Sequence, residues 1–406
     1  MRELFNISSY KLMKIGIIGG GLAGLTCAYR LAQKGIKAVV FEKSVVVGGR
    51  VPFCGAVATK KFHFNLISLI EELGLEELEI PLLPKEEGFF TAGGQLMGMG
   101  KMPMMAMKSF GVKDMLYFMK LNRFVNGARF NVRNPDPKLL ELRSISFEEY
   151  LKNCPMKVRK IAIEPMKIFT YENDLTKISA EFGLTHIRLA NELGSGKAFT
   201  FEESNIATVT NVLALKLREK GTEVLTIAKV NRVQKEGERF KIIYESGVEK
   251  TETVAEVDKV VLATPLTVTK EIFPELGIET DVEYKISKCL FTEGKLKWPE
   301  MKFIIGMPGN PANLRALFGV VSYAHLVYPM DDNKPVDLNQ LYDEYKISDE
   351  QVLNPAMPIV GPKARIPELQ TKIEGAYLCG DFYYYPWLET AVDTAETVAD
   401  LIAEAS

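Results

Sequence analysis

Three glycines near the start of the chain have the spacing of a nucleotide-binding loop. Gly19, Gly21 and Gly24 fit the pattern G-x-G-x-x-G, and Glu42 follows 18 residues after the last of them. The first glycine permits a tight turn, the second lets a pyrophosphate approach the backbone, and the third lets a helix pack closely on a strand. An acidic residue at this distance accepts hydrogen bonds from an adenosine ribose, and we expect the neighbouring Lys43 to contact the same nucleotide. The pattern therefore predicts a dinucleotide site, and the carboxylate disfavours the 2′-phosphate of NADP.

Regular elements on both sides of the loop would hold these residues in place. Residues 14–18 are an apolar, β-branched run of the kind found in buried parallel strands, and residues 38–41 form a second one. Apolar residues between the two runs recur with a helical period, and Gly35 stands where such a helix would end. The start of the helix would direct the backbone N–H groups of Leu22 and Ala23 at phosphate oxygens. The segment thus predicts a strand–loop–helix–strand unit.

A second glycine pair follows the acidic residue. Gly48 and Gly49 precede Arg50, and an arginine offers a bidentate cation for phosphate beside a backbone that can approach closely. At this point the sequence resembles the flavin amine oxidase superfamily, which includes protoporphyrinogen oxidases, carotenoid and squalene desaturases and amine oxidases. The resemblance implies that Gly49 and Arg50 wrap the pyrophosphate and ribityl chain of FAD.

The end of the chain is similar to the closing element of the same superfamily. A short apolar strand leads into Gly380 and Asp381, and a helical pattern begins near Glu389. The resemblance implies that Gly380 and Asp381 hold the ribityl or phosphate region. It also implies that the backbone at the start of the last helix faces the O2/N1 edge of the flavin, where a helix N-terminus favours negative charge. The residues at that helix start are Thr390, Ala391 and Val392.

Two residues from the middle of the chain complete the expected FAD site. In the superfamily the backbone of a valine holds the adenine, and Val230 is the matching position; Ala263 opens a recurring Ala-Thr-Pro element. The chain departs from the pattern at Thr390, where glycine is usual. Cys379 does not match a covalent attachment site, so we expect FAD to be bound non-covalently.

The order of these motifs predicts two discontinuous domains in an α/β protein. A Rossmann-like FAD-binding domain, a parallel sheet with helices, would be assembled from residues 14–80, 200–270 and 355–406. An α+β substrate domain would be made of two insertions, residues 81–199 and 271–354. A chain of 406 residues is also longer than one hydrophobic core usually supports.

Catalytic side chains are harder to identify, because in a flavoenzyme the cofactor carries out the electron transfer. Tyr384, Tyr385 and Trp387 are candidates for lining the flavin, and ordinary packing of a buried loop is the alternative. Amine oxidases of the superfamily often place a lysine near flavin N5. Lys285 and Lys288 are available in a strand-like segment, but nothing in the sequence fixes either of them there.

One part of the first insertion is rich in methionine and in positive charge. Eight of the 16 methionines lie between residues 97 and 119, and residues 101–167 carry 14 Lys and Arg against 6 Asp and Glu. Methionine fills irregular core space, so core packing below a solvated basic face is one interpretation. The others are a tunnel for an apolar substrate and contact with an anionic membrane surface.

The composition argues against several other classes of protein. A net charge of −2 is unlike that of most nucleic-acid-binding proteins. Three histidines and five cysteines are dispersed without a C-x-x-C pair, which predicts no metal site and a reducing compartment. No apolar run of 18 residues occurs, so we expect a cytoplasmic protein with peripheral membrane contact at most. Residues 1–12 are interpreted as a flexible leader or as preceding an alternative start, and the oligomeric state is left open.

These observations predict an FAD-dependent oxidoreductase that takes hydride or electrons from an apolar or polycyclic small molecule, as protoporphyrinogen oxidases and desaturases do. A flavin-dependent amine oxidase is the alternative enzyme, favoured by the aromatic loop, and a flavin-dependent sugar mutase is a third. A flavin-free lipid or prenyl carrier of the same fold is the alternative from another class, although a carrier would be free to lose the glycines, the acid and the arginine.

Overall fold

The structure is a computed structural model, and it describes most of the chain. The described residues are 13–51, 58–59, 62–76, 79–83, 85–98, 108–164, 167–192, 198–201, 207–321, 323–383 and 388–405. The strands are β1 (Lys14–Ile18), β2 (Lys37–Phe41), β3 (Ala58–Thr59), β4 (Glu79–Pro81), β5 (Glu87–Phe90), β6 (Leu96–Gly98), β7 (Ala198–Phe201), β8 (Glu223–Leu225), β9 (Ala228–Glu236), β10 (Arg239–Ser246), β11 (Thr251–Val257), β12 (Lys259–Leu262), β13 (Glu283–Leu296), β14 (Phe303–Gly306), β15 (Leu314–Val321), β16 (Ala324–Pro329), β17 (Tyr342–Ile359) and β18 (Ala376–Leu378). The α-helices are α1 (Leu22–Gln33), α2 (Phe64–Leu73), α3 (Val112–Gly127), α4 (Pro137–Leu142), α5 (Phe147–Tyr150), α6 (Met156–Val158), α7 (Lys167–Thr170), α8 (Ala180–Glu192), α9 (Ala207–Glu219), α10 (Leu266–Ile272) and α11 (Leu388–Glu404).

A parallel sheet brings together strands from distant parts of the sequence. Its order is β18-β12-β1-β2-β8, and each neighbouring pair is parallel. β1 lies at the centre, and its residues Ile15 and Ile17 are fully buried. Strands of a parallel sheet are apolar throughout because helices cover both faces of the sheet. α1 connects β1 to β2, and α11 follows β18. This arrangement confirms the predicted α/β class with a Rossmann-like sheet.

A three-stranded antiparallel sheet, β9–β10–β11, joins the parallel sheet at the end of β2. The N–H of Ala228 donates to the carbonyl of Glu42 at 2.8 Å, and the Tyr244 ring lies edge-on to Phe41, with 5.0 Å between ring centroids. β9 and β10 form a hairpin, and Gly237 takes a positive φ of 63° in its turn.

A larger sheet of seven strands has the order β17-β13-β16-β15-β14-β5-β6. Its pairs are antiparallel except for β14 and β5, which run parallel. Side chains alternate across a strand, so Phe303 and Ile305 face the main core whereas Ile304 faces a second, smaller core. Helices α3 to α8 lie in the first insertion, between β6 and β7. The proposed division into two domains stays a prediction, and β17 runs across its expected boundary at residue 354.

A membrane-spanning helix and a metal-binding cluster are both absent from the residues that the structure describes. Among them, no helix has both the length and the apolar character needed to span a bilayer. No cluster of His, Cys, Asp and Glu in that part of the chain is arranged to hold a metal ion. Residues 1–12, interpreted above as a leader, lie outside the described ranges.

Candidate functional site

The glycine loop after β1 is held by backbone hydrogen bonds at both ends. The N–H of Gly19 donates to the carbonyl of Phe41 at 2.8 Å, and Gly19 has a φ of 110°, which favours glycine. The N–H of Ala263 donates to the carbonyl of Ile18, also at 2.8 Å. Ala263 therefore lies directly beneath the loop, at the carboxyl ends of the parallel strands, where ligands bind in open α/β sheets.

The three motif glycines are required for different physical reasons. A Cβ on Gly24 would stand 2.0 Å from the carbonyl oxygen of Gly19, and one on Gly19 would stand 2.7 Å from the carbonyl oxygen of Ala263. These two positions need glycine for the fold itself. A Cβ on Gly21 would meet no atom of the described residues closer than 4.0 Å. The space above Gly21 is therefore open to a ligand, as a pyrophosphate requires.

The N-terminus of α1 opens onto that space. Gly21 is the N-cap residue, no side chain caps this end, and the first turn carries no acidic residue. The N–H groups of a helix's first turn lack partners within the helix and carry partial positive charge. An anion fits here, and the backbone of Leu22 and Ala23 is where the sequence predicted phosphate contacts.

Glu42 directly follows β2 and is buried, and backbone N–H groups donate to both of its carboxylate oxygens. Oε2 accepts from the N–H of Gly20 and Oε1 from the N–H of Ser44, each at 2.8 Å. A carboxylate oxygen has more than one lone pair, so each can also accept from a ribose hydroxyl. Lys43 beside it is exposed. Val230 lies in β9, two residues after the Ala228 that bonds to Glu42, so the predicted adenine contact is near the predicted ribose contact.

The second glycine pair lies against the first. Gly48 forms an isolated parallel bridge with Gly21, and its N–H donates to the carbonyl of Gly20 at 2.8 Å. Gly49 has a φ of 57°, and a Cβ on it would stand 3.3 Å from the Cα of Gly21. The two loops predicted to surround the pyrophosphate are therefore in direct contact.

Arg50 and Asp381, predicted separately as FAD contacts, form an ion pair. The Nη2 atom of Arg50 lies 2.7 Å from Oδ1 of Asp381, and its Nη1 atom donates to the carbonyl of Ala356 in β17 at 2.5 Å. Burial, and then the charge of Asp381, raises the pKa of Tyr284 in β13. The Tyr284 hydroxyl accepts from the N–H of Leu266 at 3.0 Å. Arg50 thus connects the second glycine loop, the Gly-Asp turn and the seven-stranded sheet.

The Gly-Asp turn is fastened to the last helix by a hydroxyl. Thr394 Oγ1 accepts from the N–H of Gly380 at 2.9 Å and lies 2.8 Å from the carbonyl oxygen of Thr390. Gly380 has a φ of 155°. Thr390, Ala391 and Val392 lie in the first turn and a half of α11, which begins at Leu388. The Thr390 side chain is fully buried, and Oγ1 has no hydrogen-bond partner among the described residues.

Sequence reasoning missed the role of Glu389. Its side chain is only 1% exposed, and its two oxygens accept from the N–H groups of Asn65 and Leu66, each at 3.0 Å. It therefore caps α2 from the other end of the chain. Burial raises the pKa of Glu389 to about 8, although the two N–H donors oppose the shift. Nothing local in the sequence indicates this contact, because its partners are more than 300 positions away.

The predicted catalytic residues are only partly described. Tyr384, Tyr385 and Trp387 lie outside the described residues. Tyr383, which precedes them, has the Arg143 guanidinium over its ring at 5.7 Å, and Arg143 forms a bidentate pair with Glu181 of α8.

The two lysines considered for flavin N5 have other partners in this structure. Lys285 pairs through Nζ with the buried carboxylate of Glu172, and the Lys288 backbone N–H donates to Asp332. The sequence did not decide whether Lys285 or Lys288 lies near flavin N5, and these contacts favour neither lysine for that place.

The methionine-rich segment is described only in part. Met97 and Met115 are partly buried, and Met119 is 61% exposed. The remaining five methionines of that segment, at positions 99, 102, 104, 105 and 107, fall outside the described ranges.

With this geometry in place, comparison with known proteins is decisive for the family. Residues 17–65 match the NAD(P)-binding Rossmann-like domain, and residues 59–303, more than half of the chain, match the flavin containing amine oxidoreductase family. The chain belongs to the flavin containing amine oxidoreductase family. Membership confirms the predicted superfamily and confirms FAD as the cofactor. The loop of Gly19, Gly21 and Gly24, which we call the Gly21 cradle, and the uncapped N-terminus of α1 fit the pyrophosphate of FAD. The individual FAD contacts remain predictions.

Solved structures of this family's fold cover nearly all of the chain. A cyclohexylamine oxidase from Brevibacterium oxydans shares 15% identity, covering 97% of this chain and 99% of that one, with a TM-score of 0.67. A fatty acid isomerase from P. acnes shares 15% identity over 97% of this chain and 98% of that one, with a TM-score of 0.66. A provisionally named protoporphyrinogen oxidase from Exiguobacterium shares 16% identity over 97% and 99%, with a TM-score of 0.65. At this identity the likeness concerns the fold alone.

Curated relatives match a shorter stretch. A thiamine thiazole synthase from Pyrobaculum aerophilum is 33% identical over 90 residues, which is 22% of this chain and 32% of that protein. A second, from Methanothermobacter thermautotrophicus, gives 33% over 90 residues, 21% of this chain and 32% of that protein. The chain therefore spans about a third of the length of the curated relatives it matches.

Gly21 offers a test that separates ligand binding from folding. Its φ of −79° and ψ of −178° suit any residue, and a methyl group there would meet no atom closer than 4.0 Å among the residues that the structure describes. We expect Gly21→Ala to leave the melting temperature of the FAD-free protein unchanged and to weaken FAD binding by roughly tenfold or more, about 1.4 kcal/mol. Thermal unfolding of the apoprotein and fluorescence titration with FAD measure the two effects.

Gly24→Ala is the matched control for that experiment. Its Cβ would overlap the Gly19 carbonyl oxygen, so the FAD-free protein should itself be destabilised, by about 1–3 kcal/mol. Full FAD affinity in Gly21→Ala would mean that the pyrophosphate does not lie on this loop.

Glu389 predicts a pH dependence of stability with a defined sign. Its folded-state pKa is about 8 and its unfolded value is about 4.3, so between these values the folded protein binds a proton that the unfolded chain releases. The free energy of unfolding therefore decreases as pH rises through this interval, by at most about 1.4 kcal/mol per pH unit. Glu389→Gln removes this contribution, and thermal unfolding at several pH values should show wild type losing stability relative to the variant as pH rises.

Glu249→Gln, at an exposed position, is the control for this experiment. Parallel stability curves for wild type and Glu389→Gln would contradict the role given to Glu389.

Proposed function

We propose that the protein is an FAD-dependent oxidoreductase that takes hydride or electrons from an apolar or polycyclic small molecule. The observation that carries the proposal is the set of contacts made by Arg50, which binds Asp381 and the Ala356 carbonyl of β17. These contacts join the two FAD-binding loops to the edge of the seven-stranded sheet. A cofactor extending from the Gly21 cradle past Arg50 would bring its reactive ring to the boundary between the FAD site and that sheet.

FAD supplies the two-electron acceptor chemistry when it is bound. The residues of the chain position it. Arg50 contributes fixed positive charge for the phosphates, and Glu42 offers acceptor oxygens for the ribose hydroxyls. The start of α11, where Thr390 to Val392 are the predicted contacts, would direct its unpaired backbone N–H groups to the end of the ring system at which negative charge develops.

An apolar substrate is supported by charge pairing in the adjoining sheet. The ammonium of Lys285 in β13 pairs with the Glu172 carboxylate, so the two charges neutralise each other. Among the proteins of similar fold, one is named for a fatty acid and one for protoporphyrinogen. Peripheral contact with a membrane would give such a substrate a route to the site, and the oligomeric state is left open.

An amine substrate is the second candidate. The family is named for amine oxidation, and a structure of similar fold is a cyclohexylamine oxidase. Anaerobic titration followed by visible absorption distinguishes the two. We expect the flavin bands of the purified protein to bleach with a porphyrinogen or a polyene precursor and to persist with primary amines and polyamines. Bleaching by amines alone would replace the proposal with the amine oxidase, and a colourless protein that takes up no FAD would leave the carrier of the same fold.

Arg50 provides the variant for this proposal. Arg50→Met keeps much of the side-chain volume but removes the guanidinium and leaves the Asp381 carboxylate facing the phosphate region alone. We expect FAD affinity, measured by equilibrium dialysis, to fall by roughly tenfold or more. Arg232→Met is the control, because Arg232 forms an exposed ion pair with Glu275. Equal affinities in the two variants would remove Arg50 from the FAD site.

A further inference from the structure

Helix α3 has apolar residues on two opposite sides. Leu121 and Val125 are buried against the main core. On the other side Val112, Leu116 and Met119 are 79%, 63% and 61% exposed. Positions separated by four and three residues lie in one line along a helix. We call this line of three residues the α3 ridge.

The α3 ridge is not explained by packing within the part of the chain that the structure describes. A surface helix normally turns its polar side to solvent, and single exposed apolar residues are common. Here three exposed apolar residues lie in one line on the same helix, and Met156 of α6 is a fourth exposed apolar residue. α6 is fastened beside the start of α3, since Lys157 Nζ donates to the carbonyl of Ser109 at 3.1 Å.

Exposed cations lie along one flank and at one end of the ridge. Lys113 and Lys120 each follow a ridge residue by one position, which places them on its flank, and Arg123 continues its line by one further turn. None of these three forms an ion pair with another residue in the described ranges. The acidic residue of α3, Asp114, accepts from the N–H of Gly111 at 2.9 Å and serves as a cap.

We propose that the α3 ridge docks on an anionic lipid bilayer. A helix of this kind lies in the plane of the interface, with its apolar line at the boundary of headgroups and acyl chains. The lysine stems then extend beside it and bring their ammonium groups to anionic headgroups. A protein groove would cover the apolar line equally well, but it would need its own acidic rim to match Lys113, Lys120 and Arg123. The charge pattern therefore favours the bilayer. The inference deepens the proposed function, on which it rests for an apolar substrate, but docking itself requires no flavin.

Vesicle co-sedimentation of the purified holoprotein tests the proposal. We expect binding to vesicles of phosphatidylcholine and phosphatidylglycerol in equal amounts, weak binding to phosphatidylcholine alone, and loss of binding as salt is raised, because surface charges are screened. Lys113→Glu with Lys120→Glu should weaken binding at least about tenfold, since each cation near an anionic surface contributes to affinity. Equal binding to both kinds of vesicle would overturn the charge argument.

The ridge itself is tested by Leu116→Asp with Met119→Asp. Both side chains are exposed, so the melting temperature and FAD content should stay as in wild type while vesicle binding is lost. Leu215→Asp, at a 56% exposed leucine of α9, is the matched control and should bind vesicles normally. If the double variant binds vesicles as wild type does, the ridge is not the docking surface. If instead the ridge variant changes the molar mass in solution, the ridge is covered by a second copy of the chain and the proposal fails.

Failure of the docking proposal can be distinguished from failure of the proposed function. Loss of vesicle binding does not affect anaerobic reduction of the flavin by a detergent-solubilised substrate, so a reducible holoprotein that ignores vesicles refutes only the docking. A protein that binds vesicles through α3 but takes up no FAD refutes only the oxidoreductase.

Discussion

The FAD site depends on the packing of the last helix of the chain against the first. α11 lies on α1, and β18 extends the parallel sheet next to β12, where the N–H of Cys379 donates to the carbonyl of Leu262 at 3.2 Å. Val392, Val398 and Ile402 of α11 are fully buried. Burial of each such side chain is worth about 1.5–3 kcal/mol, whereas the partly exposed ion pair between Arg30 and Glu396 contributes about 1 kcal/mol or less. Apolar packing therefore determines where α11 lies, and the ion pair adds little.

Polar contacts then set the fine geometry around that junction. Glu389 holds the start of α2, and Thr394 holds Gly380, so two neighbouring turns of α11 fix two separate loops. A buried carboxylate without a cation is costly, and the raised pKa of Glu389 reflects that cost. The N-terminus of α2 offsets part of it with two N–H donors and partial positive charge. The placement of Glu389 thus fastens α2 to α11.

The parts of this arrangement that could be predicted from sequence are those specified by neighbouring residues. The turn at Gly19 and the close approach at Gly24 depend on atoms within a few positions, so the glycine spacing was sufficient to predict the strand–loop–helix unit. The Arg50–Asp381 pair was different, because the resemblance assigned both residues to the same ligand but gave no indication that they bind each other. The contact of Glu389 with α2 could not be predicted, since an acidic residue at a helix start is common and the partners of Glu389 come from the opposite end of the chain.

The outward apolar line of α3 could not be predicted for a related reason. A helical period in the sequence shows that apolar residues share a side, but α3 has apolar residues on two sides, and only the fold decides which of them is inside. Leu121 and Val125 already anchor the helix, and Asn122 contacts Asn191 of α8, so the ridge adds nothing to the core. α8 also carries Glu181, whose partner Arg143 lies over Tyr383 beside the Gly-Asp turn. α8 therefore connects α3, through Asn191, with Tyr383 at the Gly-Asp turn, through Glu181 and Arg143, and this links the surface proposed for docking to the turn that was predicted to hold FAD.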